Sequence, residues 1–219
     1  MKKVFKNVSF VILILKMCFI FGQESTAQKR IIIDVGHGGK DSGAIGINDI
    51  QEKDVVLSIA NEILRLNNDL EKPLDIYLTR YKDTLISLPD RTKLAKALNA
   101  DLFMSLHCNH SDNPDARGIE VYVANAISKY SDDATWLAFQ LQDDLSKSLS
   151  FESRGVKFAN FQVLRETMGY CTSVLLELGF LSNVDESKYY QKPESYKILA
   201  FAVIRSLIKN IDSYERVGD

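Results

Sequence analysis

Only three histidines occur in the 219 residues, and all three sit in short polar loops beside apolar runs. His37 lies in Asp34-Val35-Gly36-His37-Gly38-Gly39, and His107 and His110 lie in Ser105-Leu106-His107-Cys108-Asn109-His110. Glycines on both sides of His37 allow the backbone to turn sharply and leave the imidazole exposed. Glu52 follows fifteen residues after His37 and opens an apolar-periodic segment. Two imidazoles and a carboxylate make a zinc site with one position open to water. In such a site the pKa of water falls to about 7 and a carbonyl is polarised.

Hydrolysis also needs a group that takes and returns a proton. Glu177 interrupts Val174-Leu175-Leu176-Glu177-Leu178-Gly179-Phe180, a stretch too apolar to carry a charge without a reason. Facing the metal, it would act as general base and then as general acid. Each residue taken singly has a structural explanation. A histidine by a glycine turn packs, a helix-opening Glu complements the helix dipole, and a buried Glu pairs with an Arg. Taken together they make one complete hydrolytic site, which points to a metal-dependent hydrolase.

The elements that must hold these residues alternate in type. Arg30–Val35 reads as a fully buried strand, and the segment from Lys53 to Leu70 as an amphipathic helix carrying Val55, Val56, Ile59, Ile63 and Leu66 inward. A strand is expected over Leu74–Leu78. A helix starting near Pro89 should turn Leu94, Ala95 and Leu98 inward. Strands follow over Leu102–Leu106 and Gly118–Val123, and a helix inside Asp132–Leu149 is marked by Trp136, Phe139, Leu141 and Leu145. A short strand at Phe161–Leu164 and a strand at Ser173–Leu178 precede a last helix from Ser195 to Ile211, packing Ile198, Leu199, Ala202, Val203 and Leu207. This order implies an α/β three-layer sandwich around a mostly parallel or mixed central sheet flanked by helices. His37 and His107 would then both stand at carboxyl ends of strands, where α/β proteins bind ligands.

Composition narrows the class. With 46% hydrophobic and 26% charged residues the chain reads as one globular domain. A net charge of −2 argues against nucleic acid as a partner. Lys2, Lys3 and Lys6, the apolar run Val8–Phe21 and the small-polar stretch Gly22–Gln28 have the order of a secretory signal peptide. Residues 1–27 are therefore read as a signal peptide cleaved after Ala27, with Gly22 the second choice, and 28–219 as the catalytic domain. Lys16 breaks the apolar run, so a stable transmembrane segment is not expected in the mature protein. Cys108 and Cys171 would remain after cleavage, either joined or as two small buried hydrophobes.

The ordered motifs also carry a family resemblance. Ile33-Asp34-Val35-Gly36-His37-Gly38-Gly39-Lys40-Asp41-Ser42-Gly43-Ala44 resembles the opening signature of zinc-dependent N-acetylmuramoyl-L-alanine amidases. Glu52-Lys53-Asp54, Leu78-Thr79-Arg80, Leu88-Pro89-Asp90-Arg91, the stretch from Ala100 to Asn109, Gly118-Ile119-Glu120-Val121-Tyr122, Val163-Leu164-Arg165 and the stretch from Leu176 to Asn183 are similar to later ones, in the same order. The family often has proline where Val35 stands and near Tyr170-Cys171, differences that bear on loop rigidity.

The resemblance implies that His37, Glu52 and His107 ligate one zinc ion and that Glu177 is the catalytic carboxylate. It implies cleavage of the amide between N-acetylmuramic acid and L-alanine of the peptidoglycan stem peptide, with peptidoglycan or a muropeptide as substrate. Arg91, Asn109 and Glu120 are candidate substrate contacts, although Arg91 and Arg80 serve equally well as structural ion pairs. His110 falls where the family usually has a small residue and is left out of the metal site. Manganese or cobalt would suit similar donor atoms. The segment between Tyr122 and Trp136 has little room for the site-blocking helix that some members carry, so a bare domain active without an activator protein is expected, in the periplasm or at the cell surface. The alternatives are a catalytically silent peptidoglycan-binding regulator and a zinc hydrolase of another exported amide or peptide.

Overall fold

The computed structural model describes residues 28–211. The signal-peptide reading of residues 1–27 lies outside the described residues. The strands are β1 (Arg30–Val35), β2 (Asp75–Leu78), β3 (Leu102–Asn109), β4 (Ile119–Ala124), β5 (Ser153–Ala159) and β6 (Thr172–Phe180). The helices are α1 (Glu52–Asn68), α2 (Leu88–Ala97), α3 (Ser131–Leu149), α4 (Gln162–Thr167), α5 (Val184–Tyr190) and α6 (Pro193–Ile211).

The strands form one sheet in the order β2-β1-β3-β6-β4-β5. Every neighbouring pair is parallel except β4 with β6, which is antiparallel, so the sheet is mixed. The central strands are apolar on both faces because helices cover both. Ile31, Ile33, Val35, Met104, Leu106, Val174 and Leu176 join the larger core under α1, α3 and α6. Ile32, Phe103 and Leu175, at alternate positions, pack under α2 and α4 with Ala95, Val163 and Leu164. The alternation is the two-residue period of a strand, and it produces the expected three layers. On α1, Val55, Val56, Ile59 and Ile63 are wholly buried, each contributing about 1.5–3 kcal/mol.

Several local expectations change. Phe161–Leu164 is not a strand: Phe161 caps α4, and the strand of this region is β5, an edge strand. Its sequence, SRGVKFA, carries charges that blunt an exposed edge, which hides it from an apolar-run search. Helix α5 was also unmarked by the sequence pattern. Trp136, Phe139 and Ile198 are about half exposed, and the inward stripe of α3 runs instead through Ala134, Leu137, Ala138, Leu141 and Leu145. Cys108 and Cys171 are free and lie in the two separate cores, on opposite faces of the sheet, so no disulfide joins them. Among the described residues no helix is long and apolar enough to cross a membrane.

Candidate metal centre and active-site cleft

β1 ends at Val35, and the chain turns through Gly36, His37, Gly38 and Gly39. His37 takes a left-handed backbone (φ 57), followed by Gly38 at φ 126 and Gly39 at φ 59. A left-handed conformation costs a non-glycine residue about 1–2 kcal/mol, so it persists only where partners hold it. Here the Arg91 guanidinium donates to the His37 carbonyl at 2.7 Å, and the Gly38 and Asp41 backbones bond to one another. Gly36 has a different requirement: a Cβ there would lie 2.5 Å from His107 Cε1. The missing side chain is what lets the His107 ring lie over the strand end.

Glu52, the first residue of α1, is 4% exposed. Its Oε2 lies 3.1 Å from His37 Nε2 and its Oε1 lies 2.7 Å from His107 Nδ1. The Ala44 and Cys108 amides donate to the same carboxylate at 2.8 and 3.0 Å. The two rings meet edge to face, 4.9 Å apart. Asp41 accepts from His37 Nδ1 at 2.9 Å, which leaves Nε2 directed at Glu52. This is the arrangement in which an acidic partner orients a ligating imidazole.

Burial of His37 opposes its charge, but the hydrogen bonds and charges of Glu52 and then Asp41 raise its pKa to about 9. His107 is also raised: burial opposes, and Glu52 outweighs it. For Glu52, burial alone would raise the pKa, and the two imidazoles hold it well below the carboxylate range instead. Two imidazoles and two backbone amides thus converge on one buried carboxylate. Ligand atoms of His37, Glu52 and His107 lie within 4.8 Å of one another. Nitrogen and oxygen donors of this kind, three in number and partly open to the cleft, fit Zn²⁺.

Glu177 stands next to this triad. β6 pairs it with His107 on one side and with Glu120 on the other, so the three side chains occupy one row on one face of the sheet. The β3–β6 register shifts between His107 and Asn109, a bulge of the kind that re-aims side chains beside active sites. Glu177 Oε2 is buried and has no hydrogen-bond partner. Burial raises its pKa to about 8; the positive charge of His107 works against this, and Glu52 and Glu120 reinforce it.

A cleft of about 850 Å³ opens over this row. Leu85, Ile86 and Leu88 line one side, and Phe161, Gln162 and Val163 another. Asn109 and exposed His110 also line the cleft. Asn109 Nδ2 donates to Glu120 and its Oδ1 accepts from the His110 amide, so both ends of its amide have partners. Glu120 is 1% exposed and accepts from Asn109, Tyr122, Arg154 and Lys157. Arg91 is buried among Asp34, Val35, Ile86 and His37. Glu120 therefore sits behind the cleft surface, whereas Arg91 lines the cleft with little exposure, and each is committed to protein partners. Asp41 and the Leu85–Leu88 wall were not singled out from sequence. Asp41 carried a signal in its place four residues after His37, whereas the wall is defined only by long-range packing.

Comparison with known proteins follows the same lines. Residues 31–209 match the family described as N-acetylmuramoyl-L-alanine amidase. The N-acetylmuramoyl-L-alanine amidase LytC of Bacillus subtilis is 39% identical over 165 residues, covering 74% of this chain and 32% of that protein. YqiI of Bacillus subtilis, described as an uncharacterized protein, is 35% identical over 192 residues, 87% of each chain. The crystal structure of an N-acetylmuramoyl-L-alanine amidase from Clostridium difficile 630 superposes with a TM-score of 0.78 at 30% identity, over 86% of this chain and 99% of that one.

Proposed function

The chain belongs to the N-acetylmuramoyl-L-alanine amidase family, and from that premise we propose that it cleaves the amide between N-acetylmuramic acid and L-alanine of peptidoglycan with one zinc ion held by His37, Glu52 and His107. The observation that carries the reading is Glu177. It is a half-buried carboxylate with one buried, partnerless oxygen, one strand from His107, in the wall of the cleft.

When bound, the zinc ion would act as a Lewis acid and make water acidic enough to attack at neutral pH. Asp41 holds the His37 ring, and the Ala44 and Cys108 amides hold Glu52, so that the donor atoms do not reorganise. Glu177 takes a proton from the attacking water and returns it to the departing alanine nitrogen. Its elevated pKa suits both steps, since a proton shuttle works best with a pKa near the working pH. The apolar sides at Leu85, Leu88 and Phe161 shield the reacting amide from bulk water.

The same reading places the enzyme outside the cytoplasmic membrane, in wall turnover or cell separation, where its substrate is found. It also makes the domain active without an activator. The connection between β4 and α3 is confined to residues 125–130, and none of these lines the cleft.

Digestion of purified peptidoglycan, with products read by mass spectrometry, tests the proposal. Stem peptides with a free L-alanine amine should appear, disappear with a chelator and return with zinc. Folded, zinc-loaded protein that releases none would sink the amidase reading, and would favour a wall-binding regulator or a different amide.

A further inference from the structure

The geometry points to Arg91 as a positioning residue that locks the metal-holding loop to the apolar wall of the cleft, so that cation binding and substrate binding are linked. The inference rests on the reading of His37, Glu52 and His107 as a zinc site.

Arg91 is on α2 and 2% exposed. Its guanidinium reaches three segments. Nη1 donates to the Val35 carbonyl at 2.6 Å, at the end of β1. Nη2 donates to the His37 carbonyl at 2.7 Å, in the metal loop. Nε donates to the Ile86 carbonyl at 3.0 Å, in the wall of the cleft. Asp34 anchors the group at 2.7 Å and is itself held by Ser105 and Thr79. A planar guanidinium holds its donors in a fixed fork, so the positions of the three carbonyls are fixed relative to one another. A lysine ammonium at the same place could keep the charge beside Asp34 but not the fork.

The loop and the wall also touch directly, which makes the link mechanical. The Asp83 carboxylate accepts from the Gly39 amide at 2.6 Å, and Lys53 Nζ bonds both Asp83 and the Gly39 carbonyl at 2.9 Å. A Cβ at Gly38 would clash with the Thr84 carbonyl, and one at Gly39 would meet Leu85. The strained His37 backbone cannot relax without moving Ile86, because one side chain holds both. Interactions of this kind behind a metal ligand typically affect metal affinity by about 10–100-fold.

The test is Arg91→Lys in the whole protein, with zinc Kd from chelator competition, KM for a soluble muropeptide, and Tm. Zinc Kd should rise at least tenfold and KM severalfold. Asp144→Asn, which loosens α3 from α6 far from the cleft, should lower Tm without moving either constant. Arg91→Lys that lowers Tm but leaves zinc Kd and KM unchanged would overturn the assignment. Should Arg91→Lys fail to fold, hydrogen exchange on the unaltered protein decides. Zinc should slow exchange at Gly38–Gly39 and at Ile86–Ser87 together, and protection confined to the glycines would refute the link. An unaltered protein that binds no zinc would overturn the metal reading itself, and this inference with it, which keeps the two failures distinct.

Discussion

Glu177 and Glu120 stand directly opposite one another on the antiparallel β6–β4 pair, one with a partnerless oxygen and the other with four donors. Two carboxylates on one face of a sheet repel, and the structure resolves this by environment. Glu120 is kept charged: burial would raise its pKa, but Lys157, Arg154 and Tyr122 lower it. Glu177 is pushed the other way, to about 8. Pairs of carboxyls driven apart in this manner mark the division of labour in acid–base catalysis.

Glu177→Gln keeps the shape and removes the proton shuttle. The turnover rate should fall by about 10²–10⁴-fold. Zinc Kd should change little, because Glu177 is not among the three residues that form the donor cluster. Chelator competition and muropeptide turnover on the same sample check both halves. Retained turnover would move the proton-transfer role to another group.

Gly36→Ala tests the close approach of β1 to His107. The added methyl would lie 2.5 Å from Cε1 and 2.8 Å from Nε2 of that ring, and 2.8 Å from the Leu106 carbonyl. Neither the ring nor the β3 backbone can yield without disturbing the Glu52 contact. Overpacking of this sort costs about 1–3 kcal/mol in stability. Urea unfolding should show that loss, and zinc Kd should rise. A variant with normal stability and zinc affinity would mean that His107 has room to move.

Asp144 ties α3 to α6 through Lys209 at 2.6 Å, Ser206 at 2.9 Å and Asn210 at 3.1 Å. Burial works to raise its pKa, and these three partners lower it. A carboxylate with a depressed folded pKa contributes stability above its unfolded value near 4, and loses it as pH falls through the folded value. Asp144→Asn should therefore cost about 1 kcal/mol at pH 7, allowing for the half-exposed lysine, and much less at pH 3. Urea midpoints at the two pH values provide the check. An equal gap at both would mean that the charge plays no part.

The sequence made some features legible and hid others for physical reasons. β1, β3 and β6 are buried on both faces, so continuous apolar runs announce them, and α1 shows its inward stripe through Val55, Val56, Ile59 and Ile63. β5 is an edge strand with charged residues, and Phe161 to Leu164 is equally apolar as strand or helix, so pattern alone missed the first and misassigned the second. The candidate ligands were readable because histidines are scarce, and the candidate carboxylate Glu177 because it breaks an apolar run. The commitments of Arg91 and Glu120 were not, because a buried arginine or glutamate and a substrate-facing one look alike until their partners are placed.

Zinc affinity should depend steeply on pH, and in one direction. Without a cation His37 holds its proton up to about pH 9, and His107 is also raised above its ordinary value, both against Glu52. Imidazoles bind metal only when neutral, so each proton displaced on binding adds about tenfold in affinity per pH unit below the pKa concerned. From pH 6 to pH 8 the zinc Kd should therefore fall by at least tenfold, with proton release measurable in weakly buffered solution. The zinc-free protein should behave oppositely. A histidine pKa raised on folding gives stability that is complete below the unfolded value near 6.5 and is lost as pH rises through about 9. Thermal melts of chelated protein should thus decline between pH 7 and 9 while those of zinc-loaded protein do not. A zinc Kd flat over this range would mean that the imidazoles are already neutral, and that the contacts to Glu52 do not hold protons in the places of the cation.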